Sequence, residues 1–454
     1  MVYFCNMKIL YFSAYEEDYG GGEGKITWEL AHESVRIGNE VMMLAPNVKG
    51  RGFKFGKSND LNIYFYPSLS ILEQLYVFAI SPLTTRRLYQ FLDEFNPDII
   101  HFHTAMASVF LLEAWAIKHH KVVVHSIHEN PNKMLSYMAF KRQGLLDRIS
   151  KKMGVDEYLR TMYRYTNCLV SVNDIHNQEI RNFGYNGPLV TILNGRNLDR
   201  FDTLALPSLS DNTIKLFFVG FICERKNQRY LIEVLKHLPN NYELYFIGEP
   251  LFKTYQKSLP KSDRVHYLGQ RAFDELPKLM EGFHICASAS IEEAFSLSII
   301  EALAAGKPVV GLQNDTIDRL ITTKNGKSLP VNTSPKNFAS EIQKIAKLKQ
   351  GEYDKMATEA RDSVKLLSWD RAMLSYQELY TSLITGKQVE RDIRPVESIL
   401  DLLGVKKTVK RFLNSVDKNR NIVKLRTIGT LSAVLLASIA VGYSISKLFT
   451  RKKK

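Results

Sequence analysis

Ser288-Ala-Ser-Ile-Glu-Glu-Ala-Phe-Ser-Leu-Ser-Ile-Ile-Glu301-Ala-Leu-Ala-Ala-Gly-Lys-Pro-Val-Val310 is the stretch whose reading decides the fold. Its Ile/Ala/Leu run has helical spacing, ends at Gly306 and leads into a Pro-Val-Val strand start, so it reads as a buried helix feeding a buried strand. Two carboxylates, Glu293 and Glu301, stand eight positions apart. If the helix opens near Glu293, they fall within roughly 80° of one helical face and about 12 Å apart along its axis. A carboxylate inside an apolar run needs a partner, because burying an unpaired charge is costly. The stretch is therefore expected to carry a binding pair rather than a solvated face.

Working outward, the same alternation of strand and helix recurs on both sides. Upstream lie Ile214-Lys-Leu-Phe-Phe-Val-Gly220, the loop Phe221-Ile-Cys-Glu-Arg-Lys-Asn227, a helix over 228–238, and strands at 242–248, 265–269 and 284–287. Nearer the amino end come Met7-Lys-Ile-Leu-Tyr-Phe-Ser13, the loop Gly20-Gly21-Gly22, and a helix expected over 26–37 that Gly38 ends. Strands at 39–46, 61–66, 99–104, 122–128, 168–172 and 190–193 follow. Short apolar strands alternating with helices predict an α/β protein of two tandem, doubly wound, Rossmann-like domains with a cleft between them. The expected domains are 1–200 and 201–366, with a helix over 367–385 packing back on them. Ligands of such sheets bind at the carboxyl ends of strands. Gly21, Gly22, His103, His128 and Asn194-Gly195 would all lie there. The glycine spacing matches neither the dinucleotide fingerprint nor the P-loop.

The chain has 454 residues, 45% hydrophobic and 24% charged, as a globular protein of more than one domain should. Its net charge of +14 asks for an anionic partner. Four cysteines without paired spacing indicate neither a zinc site nor a disulfide framework, and suit a reducing compartment. The first residues do not read as a secretion signal. Residues 386–426 read as a linker whose second half is basic, with Lys406, Lys407, Lys410, Arg411, Lys418, Arg420, Lys424 and Arg426 against Asp417. Residues 427–446 are an uncharged run of 20, the length of a membrane span, and 447–454 form a basic tail. A basic segment beside a span is drawn to anionic lipid. Much of the net charge is thereby accounted for without nucleic acid.

Taken together and in order, several motifs resemble one enzyme family. They are Gly20-Gly21-Gly22, Ile192-Leu-Asn-Gly195, Val219-Gly220 with Lys226-Asn227, the Glu293/Glu301 pair, Ala304-Ala-Gly-Lys-Pro-Val-Val310 and Ser368-Trp369. Over roughly residues 7–385 the chain resembles the retaining GT-B glycosyltransferases that include sucrose-phosphate synthases and bacterial lipid mannosyl- and glucosyltransferases. The resemblance gives Glu293 the hydroxyls of the donor sugar and Glu301 the ribose of the nucleotide. It sets the backbone of Ala294, Phe295, Ser296 and Leu297 against the donor phosphates, with Ala294 and Ser296 replacing usual glycines. Lys226 takes the second place of a basic pair for the pyrophosphate; Phe221 fills the first, and Arg225 is the neighbouring cation expected to serve instead. Gly21, Gly22, Asn194, Gly220 and Gln270 complete the expected donor set, and His128 matches a histidine near the reacting sugar. His103 and His125 are weaker candidates. No metal and no cofactor beyond the donor are implied.

The first domain would receive the acceptor. Residues 133–152 mix apolar and basic side chains, as does either a helix lying on lipid or one packed on the sheet. The expected reaction moves a hexose from a nucleotide diphosphate sugar, a UDP-hexose, to a membrane lipid with retention. Alternatives are transfer to a polysaccharide or polyprenyl-linked glycan, or a degenerate member that binds sugar nucleotide without turnover. The expected location is a membrane, through a single carboxyl-terminal span, with the catalytic domains facing the cytosol.

Overall fold

The computed structural model describes residues 6–17, 21–50, 52–72, 75–106, 108–128, 155–251 and 253–386. The mixed apolar and basic segment at 133–152, residues 387–426 of the basic linker, the span at 427–446, the tail and Gly20 lie outside the described residues. Among the described residues no helix is long and apolar enough to cross a membrane.

Two sheets organise the chain. The first contains β1 (Lys8–Phe12), β2 (Glu40–Asn47), β3 (Lys54–Ser58), β4 (Leu61–Leu72), β5 (Leu75–Phe78), β6 (Ile99–Phe102), β7 (Val122–Ile127), β8 (Cys168–Ser171) and β9 (Leu189–Thr191). The second contains β10 (Ile214–Val219), β11 (Tyr242–Ile247), β12 (Val265–Tyr267), β13 (Ile285–Ser288), β14 (Val309–Leu312) and β15 (Gly326–Leu329). Their orders are β3-β4-β2-β1-β6-β7-β8-β9, with β5 on β4, and β12-β11-β10-β13-β14-β15. Pairing is parallel except where β3 and β5 meet β4.

Central strands such as β6, β7, β8, β13 and β14 are buried along their whole length. Strands covered on both faces need apolar residues throughout, which is why these segments read as continuous runs in the sequence. The first sheet has one core built on Phe12, Tyr66, Phe102 and Trp115 and another built on Tyr11, Trp28 and Val124. The second core is closed by the helix Trp369–Thr385, which lays Trp369, Met373, Tyr376 and Tyr380 onto the first domain after the chain has left the second. Gly195 lies under that helix: a Cβ there would come within 2.7 Å of Trp369. The strand order reverses beside β1 in one sheet and beside β10 in the other. At such points the loops diverge and open a crevice.

Candidate active site

Five loops carry the expected residues: those after β1, β6 and β7 in the first domain, and those after β10 and β13 in the second. After β1 the helix Gly21–Arg36 begins within the glycine loop itself, earlier than the expected Ile26. Gly21 adopts φ +61°, which a side-chain-bearing residue takes only with strain, and a Cβ there would lie 3.1 Å from the ring of Phe221. The aromatic ring in place of the usual arginine thus closes on the glycine loop of the opposite domain. Gly22 has open space where a side chain would be.

The helix of the opening stretch runs over Leu297–Ala304, not from Glu293. Residues 291–296 form a loop held by distant partners. Ile291 N–H donates to Arg225 O at 2.9 Å, Asn173 Nδ2 to Ala294 O at 2.7 Å, and Ser296 N–H to Thr316 Oγ1 at 2.9 Å. The two carboxylates are therefore not stacked on one helical face; Glu293 sits in the loop and Glu301 in the helix. The Ser296 amide, expected to face donor phosphate, is engaged by Thr316, while Phe295 is buried and Leu297 packs against cores of both domains.

Glu293 instead meets the loop after β10. The turn Glu224–Lys226, ended by Asn227 at φ 53°, brings Lys226 Nζ onto Glu293 Oε1, and Arg225 Nη1 lies 3.8 Å from Glu293 Oε2 while donating to Glu292 O at 3.1 Å. Both members of the ion pair are nearly buried, their side chains 11% and 10% exposed. Burial pushes the Glu293 carboxyl up, but Lys226 and Arg225 outweigh it and hold the group below its ordinary value. For Lys226 burial wins, lowering it in spite of Glu293. Gly220, at φ +146°, brings the backbone close to this pair, 3.8 Å from Lys226 Cε to a notional Cβ. Gln270 is exposed, its N–H donating to Glu249 Oε1 at 3.1 Å, and is not brought into the Lys226–Glu293 group.

The first-domain side holds buried imidazoles. His103 Nδ1 lies 2.8 Å from His128 Nε2, and His101 bonds Tyr380 OH at 2.7 Å and Ser126 Oγ at 2.8 Å. Burial lowers all of them, His125 to about 3 and His128 to about 4, so they are neutral at pH 7. The Nε2 of His103 has no partner among the described residues. A buried orphan lone pair is cheaper than a buried orphan N–H. The shared proton is thus assigned to His103 Nδ1, which leaves His128 protonated on Nδ1 as a hydrogen-bond donor. Asn194 is also buried, with Oδ1 unpartnered among the described residues. No group of three or more His, Cys, Asp or Glu among the described residues is placed to hold a metal ion.

Sequence reasoning missed Arg196. It is 1% exposed, donates through Nε to Glu301 Oε1 at 2.8 Å and through Nη2 to the same oxygen, and bonds Glu29 of the first domain through Nη1. Trp369 Nε1 donates to the other oxygen of Glu29 at 3.1 Å. The signal was an arginine directly after Asn194-Gly195 in a chain whose Glu301 lacked a partner. Asn173 and the interdomain pairs His176–Asp315 and Asp174–Arg319 were missed too, since nothing local in the sequence marks a contact between domains.

Residues 205–363 match the family described as Glycosyl transferases group 1, and residues 20–200 match Glycosyltransferase Family 4. The glycosyltransferase MJ1069 of Methanocaldococcus jannaschii is 21% identical over 401 residues, 83% of this chain and 99% of its own length. MJ1178 of the same organism is 23% identical over 169 residues, which span 37% of this chain and 47% of that protein. Among solved structures, sucrose-phosphate synthase of Thermosynechococcus elongatus superposes with a TM-score of 0.64 at 16% identity, covering 84% of this chain and all (100%) of that one. HepE of Anabaena, solved with UDP-glucose, gives 0.61 at 16% identity, covering 83% of this chain and 100% of that one. The two sheets and these matches lead to one conclusion: the chain is a glycosyltransferase with the GT-B fold, its second domain matching the glycosyl transferases group 1 family over residues 205–363.

Proposed function

We propose that the protein transfers a hexose from a UDP-sugar to a membrane lipid with retention of configuration. The observation that carries the donor half is the buried Lys226–Glu293 pair at the carboxyl ends of β10 and β13. Each charge of the pair is satisfied by the other. When donor enters, Lys226 and Arg225 turn to the diphosphate and Glu293 accepts hydrogen bonds from sugar hydroxyls, so neither charge is left bare. Glu301 accepts from the ribose hydroxyls. Uridine is favoured because HepE, of the same fold, binds UDP-glucose.

Retention is supported by the facing wall. A neutral His128, lowered to about 4, is a poor proton acceptor for a sugar hydroxyl at pH 7 but a good donor to a sugar oxygen. The leaving phosphate, held by Lys226, is then the base for the acceptor, on the face from which it departs. The lipid acceptor and the membrane location rest on the basic segment and the uncharged run at 427–446, with the catalytic domains in the cytosol where nucleotide sugars are made. Tethering raises the local concentration of a membrane-bound acceptor.

The test incubates the full chain with labelled UDP-hexoses, one at a time, and total lipid extract. Label is expected in the organic phase with one donor, and Glu301→Ala should abolish it. Donor turnover that no lipid extract stimulates, but a soluble glycan or polyprenyl-linked acceptor does, overturns the lipid assignment. Donor binding without turnover on any acceptor overturns the enzymatic one.

A further inference from the structure

We infer that Arg196 is a positioning residue for Glu301, which it holds by one oxygen so that the other is presented to the donor, and only while the two domains are closed on each other. This rests on the ribose-binding role proposed above for Glu301. Nothing in the fold requires a charge at this position, since the backbone of Arg196 is fixed independently, its N–H donating to Leu367 O at 2.9 Å beside a bridge to Ser368. The side chain is the informative part. Two of its donors, Nε and Nη2, converge on the same Glu301 oxygen, Oε1. Among the described residues Oε2 takes no hydrogen bond, although Glu301 is only 3% exposed. An ionised carboxylate has acceptor capacity on both oxygens, so the unused one is the atom available to a diol.

The third donor, Nη1, reaches Glu29 on the first helix of the first domain, across the cleft from Glu301, and Glu29 is itself held by Trp369 Nε1 at 3.1 Å. The guanidinium carbon lies 3.8 Å from the centroid of the Phe273 ring, and Lys25 of the first domain reaches the same ring at 4.2 Å. Arg196 therefore takes its position from both domains at once. Opening the cleft separates Glu29 from Glu301, and the guanidinium can then satisfy only one of them. Donor affinity and domain closure become coupled through one side chain. Arginine suits this because its fork stays charged when buried and presents donors along fixed directions. Burial alone would lower it, but Glu301 and Glu29 keep it raised.

Calorimetric titration of the full chain with UDP and with 2′,3′-dideoxy-UDP tests the proposal. The ratio of the two dissociation constants measures the ribose diol alone, which a merely structural role would leave unchanged. In the wild type the ratio should be about 10–100, the worth of hydrogen bonds to a charged group. In Arg196→Met it should fall to near 1, with UDP itself bound more weakly; Arg196→Lys, which keeps the charge without the fork, should lie between and covers the case in which the methionine variant does not fold. A wild-type ratio removed by Glu301→Gln but kept in both Arg196 variants overturns the positioning role alone. A wild-type ratio near 1, unchanged by Glu301→Gln, shows instead that Glu301 does not bind ribose, and overturns that assignment along with this one.

Discussion

The two walls of the cleft are built of opposite electrical material. The second-domain wall is ionic: Lys226 with Glu293, Arg225 beside them, and Glu301, which Arg196 of the first domain holds. The first-domain wall is polar but neutral: His101, His103, His125 and His128, all lowered by burial, with His101 tied to Ser126 and Tyr380 and His103 to His128. A nucleotide diphosphate needs charges, and charges preformed in pairs avoid leaving any one bare while the site is empty. A reacting hydroxyl beside a departing phosphate needs directed hydrogen bonds, and added positive charge on that side would hold back the proton the phosphate must take. The difference shows a division of labour between the domains that neither sheet reveals by itself.

The comparison breaks most sharply at the ionic wall. Lys226→Ala should lower transfer by roughly a thousandfold, at the upper end of what removing a charge clamp costs, and should destabilise the second domain by about 3–5 kcal/mol because Glu293 is left buried and unpaired. Adding Glu293→Ala to it should restore much of the stability and none of the activity. Melting temperatures and initial rates of the single and double variants check both halves; additive loss of stability would mean the pair is not coupled.

Acid should separate the walls in pH. A histidine whose folded value lies below 6.5 takes up its proton only in the unfolded state over that interval, so stability falls as pH drops from about 6.5 towards the folded value. The slope is about 1.4 kcal/mol per pH unit for each such histidine. Glu293, lowered from 4.5, contributes stability that is present above that value and is lost only as pH falls through the still lower folded one. Between pH 6.5 and 5, then, only the histidine wall of the two titrates, and calorimetric scans of His125→Phe should show a shallower dependence there than the wild type. An unchanged slope would place the proton uptake elsewhere.

Smaller effects refine the neutral wall. His103→Asn should lower transfer by about tenfold, the worth of one well-oriented neutral hydrogen bond, while leaving UDP affinity unchanged. Nitrogen chemical shifts of His128 should show an Nδ1 proton in the wild type and a mixture of tautomers in the variant. Gly21→Ala should cost about 1 kcal/mol, because the left-handed backbone is strained for alanine, and slightly more if Phe221 cannot yield. A stabilised Gly21→Ala protein would mean that the two loops are not in contact.

How much of this was legible in the sequence depends on the range of the interactions. Runs such as Val122–Ile127 and Val309–Leu312 announce buried parallel strands because their own composition must satisfy both faces of the sheet. The carboxyl ends of those strands could therefore be placed, and with them Gly21, His128 and Glu293. The helix boundary at Leu297 could not, since the loop before it is fixed by Arg225, Asn173 and Thr316, up to 121 residues away in the chain. The early helix start at Gly21 was hidden because glycine weakens helices by propensity, so a run of glycines does not read as a first turn. Arg196 was hidden because its three partners, Glu29, Phe273 and Glu301, come from three separate parts of the chain.

A structure of the full chain with an unreactive UDP-hexose tests the central claim most directly. The account expects Lys226 Nζ to have left Glu293 for a diphosphate oxygen, within about 3 Å, with Glu293 accepting from hexose hydroxyls. A bound donor beside an unbroken Lys226–Glu293 pair, or one seated away from the ends of β10 and β13, would contradict it.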